Sequence, residues 1–329
     1  MTNKSKISII TPSFNQGHYL EETILSVLNQ NYPNLEYIII DGASTDNSVE
    51  IIKKYAERLH YWISEKDKGQ SEAINKGLAI ASGDIVAWLN SDDLYLPGAL
   101  QTAAKAFDAN PHLDILHGRS ILFGEKTKEQ IIGLNESIEK RAYLAAMKFP
   151  QPSSFFSKRI LNANSLLNTE LHYAMDFELV SKAILNNCDI KAIPDVLSKY
   201  RMHADSKSNN DFIFLKDWGL VVCQTLLSFN TGKKYANQLL TLNLLNKNPH
   251  ETYSHSIALN DEELKNIFLE HLHLQYHYHY RFHHFKIAKN ISRFLETEYP
   301  DYHKKMNFKK YDLRASIVPA FVYRLFRKD

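Results

Sequence analysis

The chain has 329 residues, of which 44% are hydrophobic and 23% charged, and its formal net charge is +2. That length suits two domains and the composition is that of an ordinary globular protein, which excludes a disordered or fibrous chain. The near balance of charge gives no argument for bulk nucleic-acid binding, and two cysteines, Cys188 and Cys223, make no disulfide framework and fit a reducing compartment.

Residues 1–6 are polar and lead directly into an apolar run. They carry no signal-peptide pattern, and no later run is long enough to span a bilayer. The expected location is cytoplasmic, or peripheral on the inner face of the plasma membrane. From residue 6 to about 210, short apolar runs alternate with helical patterns. Strands are expected over 7–10, 35–40, 61–64 and 85–89. Helices are expected between them, over 19–29 through Leu20, Ile24, Val27 and Leu28, over 48–59 behind Asp46 or Asn47, and over 70–81 before Gly83. Strands separated by helices of this length mean βαβ units and a parallel sheet.

Beyond residue 113 the pattern is mixed. Runs over 115–123 and 130–134, flanked by Gly124 and Gly133, suggest a hairpin. A helix is expected over 137–147, a short strand over 153–156, a helix over 177–187 and strands over 190–194 and 196–201. After a polar junction at 205–211, strand signals vanish. The stretches 212–229, 234–246 and 262–298 have helical periodicity with few breakers.

The stretch 85–93 runs five apolar residues straight into Asn90, Ser91, Asp92 and Asp93. Open α/β sheets bind ligands just outside the carboxyl ends of their strands. Two adjacent carboxylates there repel each other, and a hard divalent cation bridging to a diphosphate relieves that repulsion. The bland alternative is that Asp92 and Asp93 only cap the next element. Three other loops, at 11–15, 41–46 and 65–70, also place polar residues at strand ends, so that the sheet edge suits a polar ligand.

Taken together, the stretches Ser8-Ile9-Ile10-Thr11-Pro12-Ser13-Phe14-Asn15, Ile40-Asp41-Gly42-Ala43-Ser44-Thr45-Asp46, Asn75-Lys76-Gly77 through Asp93, Ala174-Met175-Asp176-Phe177-Glu178-Leu179 and Tyr200-Arg201-Met202-His203 resemble family 2 glycosyltransferases. The resemblance covers about residues 6–208. It implies a GT-A fold, α/β with a mostly parallel sheet sandwiched by helices, over 1–208. A nucleotide-sugar half lies at about 6–113 and an acceptor half at about 114–208. An all-α extension would follow over 209–329.

By the same resemblance, Asp41 meets the base or ribose, with Thr11, Pro12, Ser13 and Asn15 walling that site. Asp67 or Gln70 touches the nucleotide or donor sugar, and Asn90, Ser91 and Asp92 line the diphosphate. Asp92 and Asp93, with His203, hold Mn²⁺ or Mg²⁺. Asn90 is a departure, since many relatives have aspartate there. Asp176 is the implied base that deprotonates the acceptor hydroxyl in an inverting transfer, while Glu178 points elsewhere on its helix. Arg201 adds positive charge, and the stretch 150–156 with Gln151, Ser153 and Ser154 lies near the acceptor or donor sugar. The implied donor is a nucleoside-diphosphate sugar of the hexosyl or N-acetylhexosaminyl class, UDP-linked by family frequency. The implied acceptor is a glycan or lipid-linked oligosaccharide in bacterial cell-surface polysaccharide assembly.

Two other readings compete. A sugar nucleotidyltransferase needs a glycine-rich basic first loop, whereas residues 11–17 hold one glycine and no lysine or arginine. A non-catalytic scaffold or partner of the same fold draws support from Asn90 and is opposed by Asp92, Asp93 and Asp176. In the helical part, His271, His273, His277, His279, His283 and His284 contain i, i+4 pairs that suit a metal face. The interleaved Tyr276, Tyr278, Tyr280, Phe282 and Phe285 suit ordinary packing equally well. The basic and apolar segment Lys304–Lys328 fits either an anionic membrane surface or docking on the protein itself. The sequence does not fix the oligomeric state.

Overall fold

Of the first four strands, the first, second and fourth are largely buried and mostly apolar, as strands covered on both faces tend to be, and the third is partly exposed. The four are β1 (Ile7–Ser13), β2 (Leu35–Asp41), β3 (Tyr61–Ser64) and β4 (Ile85–Trp88), parallel and in the order β3-β2-β1-β4. Helices α1 (Gly17–Leu28), α2 (Ser48–Tyr55) and α3 (Gln70–Ile80) make the crossovers. The computed structural model describes residues 5–125, 127–163, 166–204, 206, 213–249 and 252–308. The chain divides into two compact units, Met1–Asn210 with Ser254–Ile257, and Asp211–Tyr253 with Ala258–Asp329.

In the first unit the chain continues through β5 (Leu94–Tyr95), α4 (Ala99–Ala109), β6 (Ile115–Gly124), β7 (Thr127–Ile132), β8 (Ser154–Ser157), α5 (Lys158–Ala163), α6 (Met175–Leu185) and β9 (Ile190–Arg201). The nine strands form one sheet in the order β3-β2-β1-β4-β8-β6-β9-β5, with β7 paired to β6 as a hairpin. Strand β8 runs antiparallel to both β4 and β6, and β9 is parallel to β6. The β6–β9 register shifts near Gly118, where a Cβ would stand 2.7 Å from the Asp195 carbonyl. The two strand runs expected at 190–194 and 196–201 are therefore one bulged strand.

Other expectations change as well. Helix α4 and the short β5 follow β4 where no element was expected. The buried face of α4 is Ala99, Leu100, Ala103, Ala104 and Phe107, an amphipathic pattern that the sequence reading passed over. The helix expected over 137–147 is only a 3₁₀ turn at Lys140–Leu144. Residues Tyr143, Leu144, Ala145 and Ala146 are buried in succession there.

The second unit holds α7 (Ile213–Leu227), α8 (Lys233–Thr241), α9 (Asp261–Arg281), α10 (Phe285–Glu298) and α11 (Pro300–Lys305), with no strand among its described residues. Asn260 and Glu263 close a reciprocal capping box on α9. The pattern expected to be continuous over 262–298 breaks at 282–284, where His283 takes a left-handed φ of 62°. The six histidines thus lie on one helix and the turn after it. His271 and His279 are buried, and His273 packs on His277 and Phe308 at ring distances of 4.4 and 5.5 Å. Among the described residues no cluster of three potential metal ligands exists, and no helix is long and apolar enough to cross a membrane. Residues 309–328 of the basic segment lie outside the described residues.

The amino ends of the strands are locked by one carboxylate. Glu36 is buried and accepts from Ser8 Oγ at 2.8 Å, from Ser82 N at 2.7 Å and from Ser82 Oγ at 2.6 Å, and it pairs with Lys6. Burial pushes its pKa up, but Lys6 and the serine donors outweigh burial and hold it at about 2, against an ordinary 4.5. A depressed carboxylate stabilises the fold above its unfolded pKa, and that contribution is lost as pH falls through the folded one. We expect Glu36→Gln to be less stable than the parent at neutral pH, with the gap closing between about pH 4.5 and 2. Urea unfolding at stepped pH reads this directly.

Candidate active site at the carboxyl edge of the sheet

The opposite edge is assembled from the loops after β1, β2, β3 and β4. Asp41 ends β2 fully buried, and its carboxylate accepts from Ser44 N at 2.9 Å, Ser44 Oγ at 2.5 Å and Ser64 Oγ at 2.6 Å. The turn after it is tied to the first loop by Asn15. The Asn15 amide oxygen accepts from Thr45 N at 2.8 Å, and its own N–H donates to Ser44 Oγ at 2.8 Å. Asn15 adopts a left-handed φ of 52°, a conformation asparagine tolerates better than most residues. Asp46 accepts from Gly17 N at 2.9 Å and Ser48 N at 3.0 Å. Burial raises its pKa, and the donors from Ser48 and Gly17 outweigh that and hold it below the usual carboxylate range. Asp46 is therefore a fastener between loops.

Asp67 stands over Gly42, where a Cβ would come within 2.8 Å of its Oδ2, and it accepts from Gly69 N at 2.8 Å. Gly69 has a φ of 122°, which opens α3 and aims Gln70 at the edge. Gln70 Nε2 donates to Asn90 Oδ1 at 2.6 Å, and Asn90 Nδ2 donates to Asp93 Oδ2 at 3.3 Å.

The two adjacent aspartates have opposite surroundings. Asp93 is 0% exposed. Burial, and then the charge of Asp92, push its pKa well above the usual value, while the Arg201 N–H at 2.9 Å and Asn90 oppose that rise. Asp92 keeps 19% of its side chain exposed and meets His203 Nε2, itself 7% exposed, at 2.9 Å. Both contacts depend on the end of β9. Arg201 Nε donates to the Asp92 carbonyl at 2.8 Å, and its guanidinium pairs with Glu22 at 2.5 Å. That guanidinium lies over the rings of Tyr19 at 4.7 Å and Phe123 at 4.5 Å. Tyr19 also flanks His203, with ring centroids 4.8 Å apart.

These surroundings separate the expected ligands. Asp92 and His203 present one carboxylate and one imidazole nitrogen together at the edge. Mg²⁺ and Mn²⁺ commonly keep waters and substrate phosphates as further ligands, so this pair fits such a cation. Asp93 does not reach the edge, because its oxygens are taken by Arg201 and Asn90. Thr11 likewise offers a ligand no surface, since it is fully buried and its hydroxyl bonds Tyr37 OH at 3.0 Å. Pro12, Ser13 and Ser91 are buried beneath the same edge.

Asp176 lies in the first turn of α6, half-buried, and accepts from the Phe177 N–H at 2.7 Å. Glu178 is buried elsewhere, against Lys182 at 3.1 Å and Asn168 at 3.2 Å. Gln151 donates to the Trp88 carbonyl at 2.9 Å, next to the metal-motif turn. Ser153 sits in a buried hydroxyl cluster with Ser120 and Ser198, and the Ser154 hydroxyl donates to the Gln151 carbonyl at 2.6 Å. Those serines build the sheet and are closed to an acceptor. The sequence reading did not single out Phe14, Tyr19 or Glu22. Phe14 is 59% exposed in the first loop, and its signal is a large aromatic residue amid a polar strand-end loop.

With this geometry the sequence profile of glycosyl transferase family 2 matches residues 8–168. An uncharacterized glycosyltransferase from Mycobacterium tuberculosis is 31% identical over 208 residues, 61% of this chain and 76% of the relative. The chain belongs to glycosyl transferase family 2. The putative teichuronic acid biosynthesis glycosyltransferase TuaG of Bacillus subtilis is 43% identical over 105 residues, 31% of this chain, and the match spans only 42% of its length. The Escherichia coli UDP-Glc:alpha-D-GlcNAc-diphosphoundecaprenol beta-1,3-glucosyltransferase WfgD is 29% identical over 220 residues, 64% of this chain and 82% of the relative. Among solved structures, Staphylococcus aureus TarS 1-349 in complex with UDP-GlcNAc superposes with a TM-score of 0.59 at 18% identity, over 94% of this chain and 90% of that one. The Pyrobaculum calidifontis mannosyltransferase PcManGT, in complex with GDP-Man and Mn²⁺, gives 0.53 at 18% identity over 100% and 89%. The mixed sheet is thus the GT-A-like fold, followed by a helical region.

Arg201 carries a structural prediction. Arg201→Met keeps the stem and removes the guanidinium's hydrogen bond to Asp92, its ion pair and its ring contacts. We expect a loss of about 1–3 kcal/mol in unfolding free energy, measured by urea titration without ligands.

Proposed function

We propose that this protein is a metal-dependent inverting glycosyltransferase. It moves a sugar from a nucleoside-diphosphate donor, a UDP-sugar first among candidates, to a hydroxyl of a glycan or lipid-linked acceptor in cell-surface polysaccharide assembly. The observation that carries this reading is the pairing of Asp92 with His203 at the carboxyl edge, with Asp93 buried behind it. Family membership and the donors named for TarS, WfgD and PcManGT support it.

Each group then has a task. The exposed ring of Phe14 stacks on the base beside the Asp41 loop. Asp67 and Gln70, on the loop opening α3, face the ribose or donor sugar. Asp92 and His203 hold Mn²⁺ or Mg²⁺, and the bound cation supplies positive charge to the departing diphosphate. Asp176 accepts the proton of the acceptor hydroxyl. The hydroxyl oxygen bonds the anomeric carbon as the bond from that carbon to the diphosphate oxygen breaks. The electron pair leaves with the nucleoside diphosphate, and attack opposite the leaving group inverts the centre. The setting in this reading is the cytosolic face of the membrane. The nucleotidyltransferase alternative lacks support, because the first loop has no basic residue to hold a triphosphate.

A panel of nucleotide sugars tests the donor site. One nucleotide class is expected to raise the melting temperature by mass action, with a larger rise when Mn²⁺ is present. Asp92→Asn removes the metal-dependent part, and Phe14→Ala weakens binding by roughly 5- to 150-fold, the range for one base stack. Asp176→Asn is expected to keep the donor-induced shift and to lower transfer by about 10²- to 10⁴-fold. Unchanged transfer in Asp176→Asn would remove it as the base, and no shift with any donor would favour the scaffold reading.

A further inference from the structure

The stretch 271–295 contains no aspartate or glutamate, yet it carries Arg281, Lys286, Lys289, Arg293 and six histidines. Helix α10 buries Ala288, Ile291, Ser292 and Leu295. Lys286, Lys289 and Arg293 follow at i, i+3 and i+7 on the opposite side, which makes a basic stripe. Arg281, Lys286 and Arg293 are exposed and Lys289 is half-buried. Among the described residues none of these four cations pairs with a carboxylate. Exposed cations elsewhere do pair, as Lys54 does with Glu21 and Lys234 with Asp261.

The turn between α9 and α10 adds apolar surface. Phe282, Phe285 and Ile287 are half-buried there. His283, His284, Phe285, Lys286 and Ile287 line an open recess of about 440 Å³. Phe285 leans on Tyr280 at 5.4 Å, and Phe282 on Tyr278 at 5.8 Å. Rings and aliphatic groups beside unpaired cations are the makeup of an interfacial helix.

We propose that the α9–α10 turn and the basic stripe of α10 form a docking surface for an anionic lipid bilayer. A bilayer accepts both components, the cations at its headgroups and Phe282, Phe285 and Ile287 at the acyl boundary. A soluble polyanion would engage only the cations. This surface is argued from described residues alone and does not rest on the transfer reaction.

Flotation of the full-length protein with vesicles tests it. Binding is expected to vesicles of phosphatidylcholine with phosphatidylglycerol, to fall as salt is raised, and to be near background on phosphatidylcholine alone. In the full chain, Lys286→Gln, Lys289→Gln and Arg293→Gln together are expected to weaken partition about a hundredfold, roughly fivefold for each cation. Its unfolding midpoint should stay at the parent value, since none of the three makes an ion pair. A second variant, Ile287→Ser, is expected to reduce the binding that survives raised salt. Partition of the triple variant within about threefold of the parent overturns the proposal. So does a parent that ignores phosphatidylglycerol vesicles, or one that is retained by heparin but not by vesicles.

Discussion

Two neighbouring carboxylates at a sheet edge repel each other, and the organisation of this site follows from how that repulsion is relieved. Burial and the charge of Asp92 raise the Asp93 pKa and so favour its uncharged form, while its oxygens meet the Arg201 N–H and the Asn90 amide. Asp92 is left as the one carboxylate that faces outward. Asn90, a neutral residue where a third acid would add to the repulsion, also receives Gln70. The first turn of α3, the turn after β4 and the end of β9 are therefore joined through a few side chains. Asn90 counts as a weak metal ligand when taken alone, but here it is the centre of that junction.

The two ends of the parallel strands are built on different terms. At the amino ends Glu36 is surrounded by Lys6, Ser8 and Ser82, and its charge is fully matched. At the carboxyl ends Asp41 and Asp46 are also held by hydrogen-bond donors, but Asp92 keeps part of its side chain exposed, and Arg201 is largely committed to Glu22 and the Asp92 carbonyl.

How much of this was legible follows from where the information lies. Strands β1, β2 and β4 were readable because burial on both faces leaves a mostly apolar run. Helix α4 was passed over although its buried residues at 99, 100, 103, 104 and 107 keep helical spacing. The break before α10 was hidden by aromatic and histidine residues on both sides of it. Asp41, Gln70, Asn90 and Asp92 could be placed at strand ends from sequence alone. The burial of Asp93 could not, because it depends on Arg201, 108 residues away, reaching the turn after β4. The burial of Thr11 was hidden for a related reason. Its partner Tyr37 comes from the adjacent strand, and only the β1–β2 register shows that they meet.

The contact between Asp92 and His203 also bears on how such a site fills. Their 2.9 Å hydrogen bond already satisfies one oxygen and one ring nitrogen. On the proposed reading, Asp92 and His203 would give up that bond to hold a cation, so these two ligands alone would give it a modest net attraction. The donor diphosphate would supply further oxygens, and cation and donor would then each raise the affinity for the other. The ring of Tyr19 beside His203 and the guanidinium above it limit where the imidazole can move when the bond opens. The clamp that buries Asp93 thus also sets the path by which Asp92 becomes available.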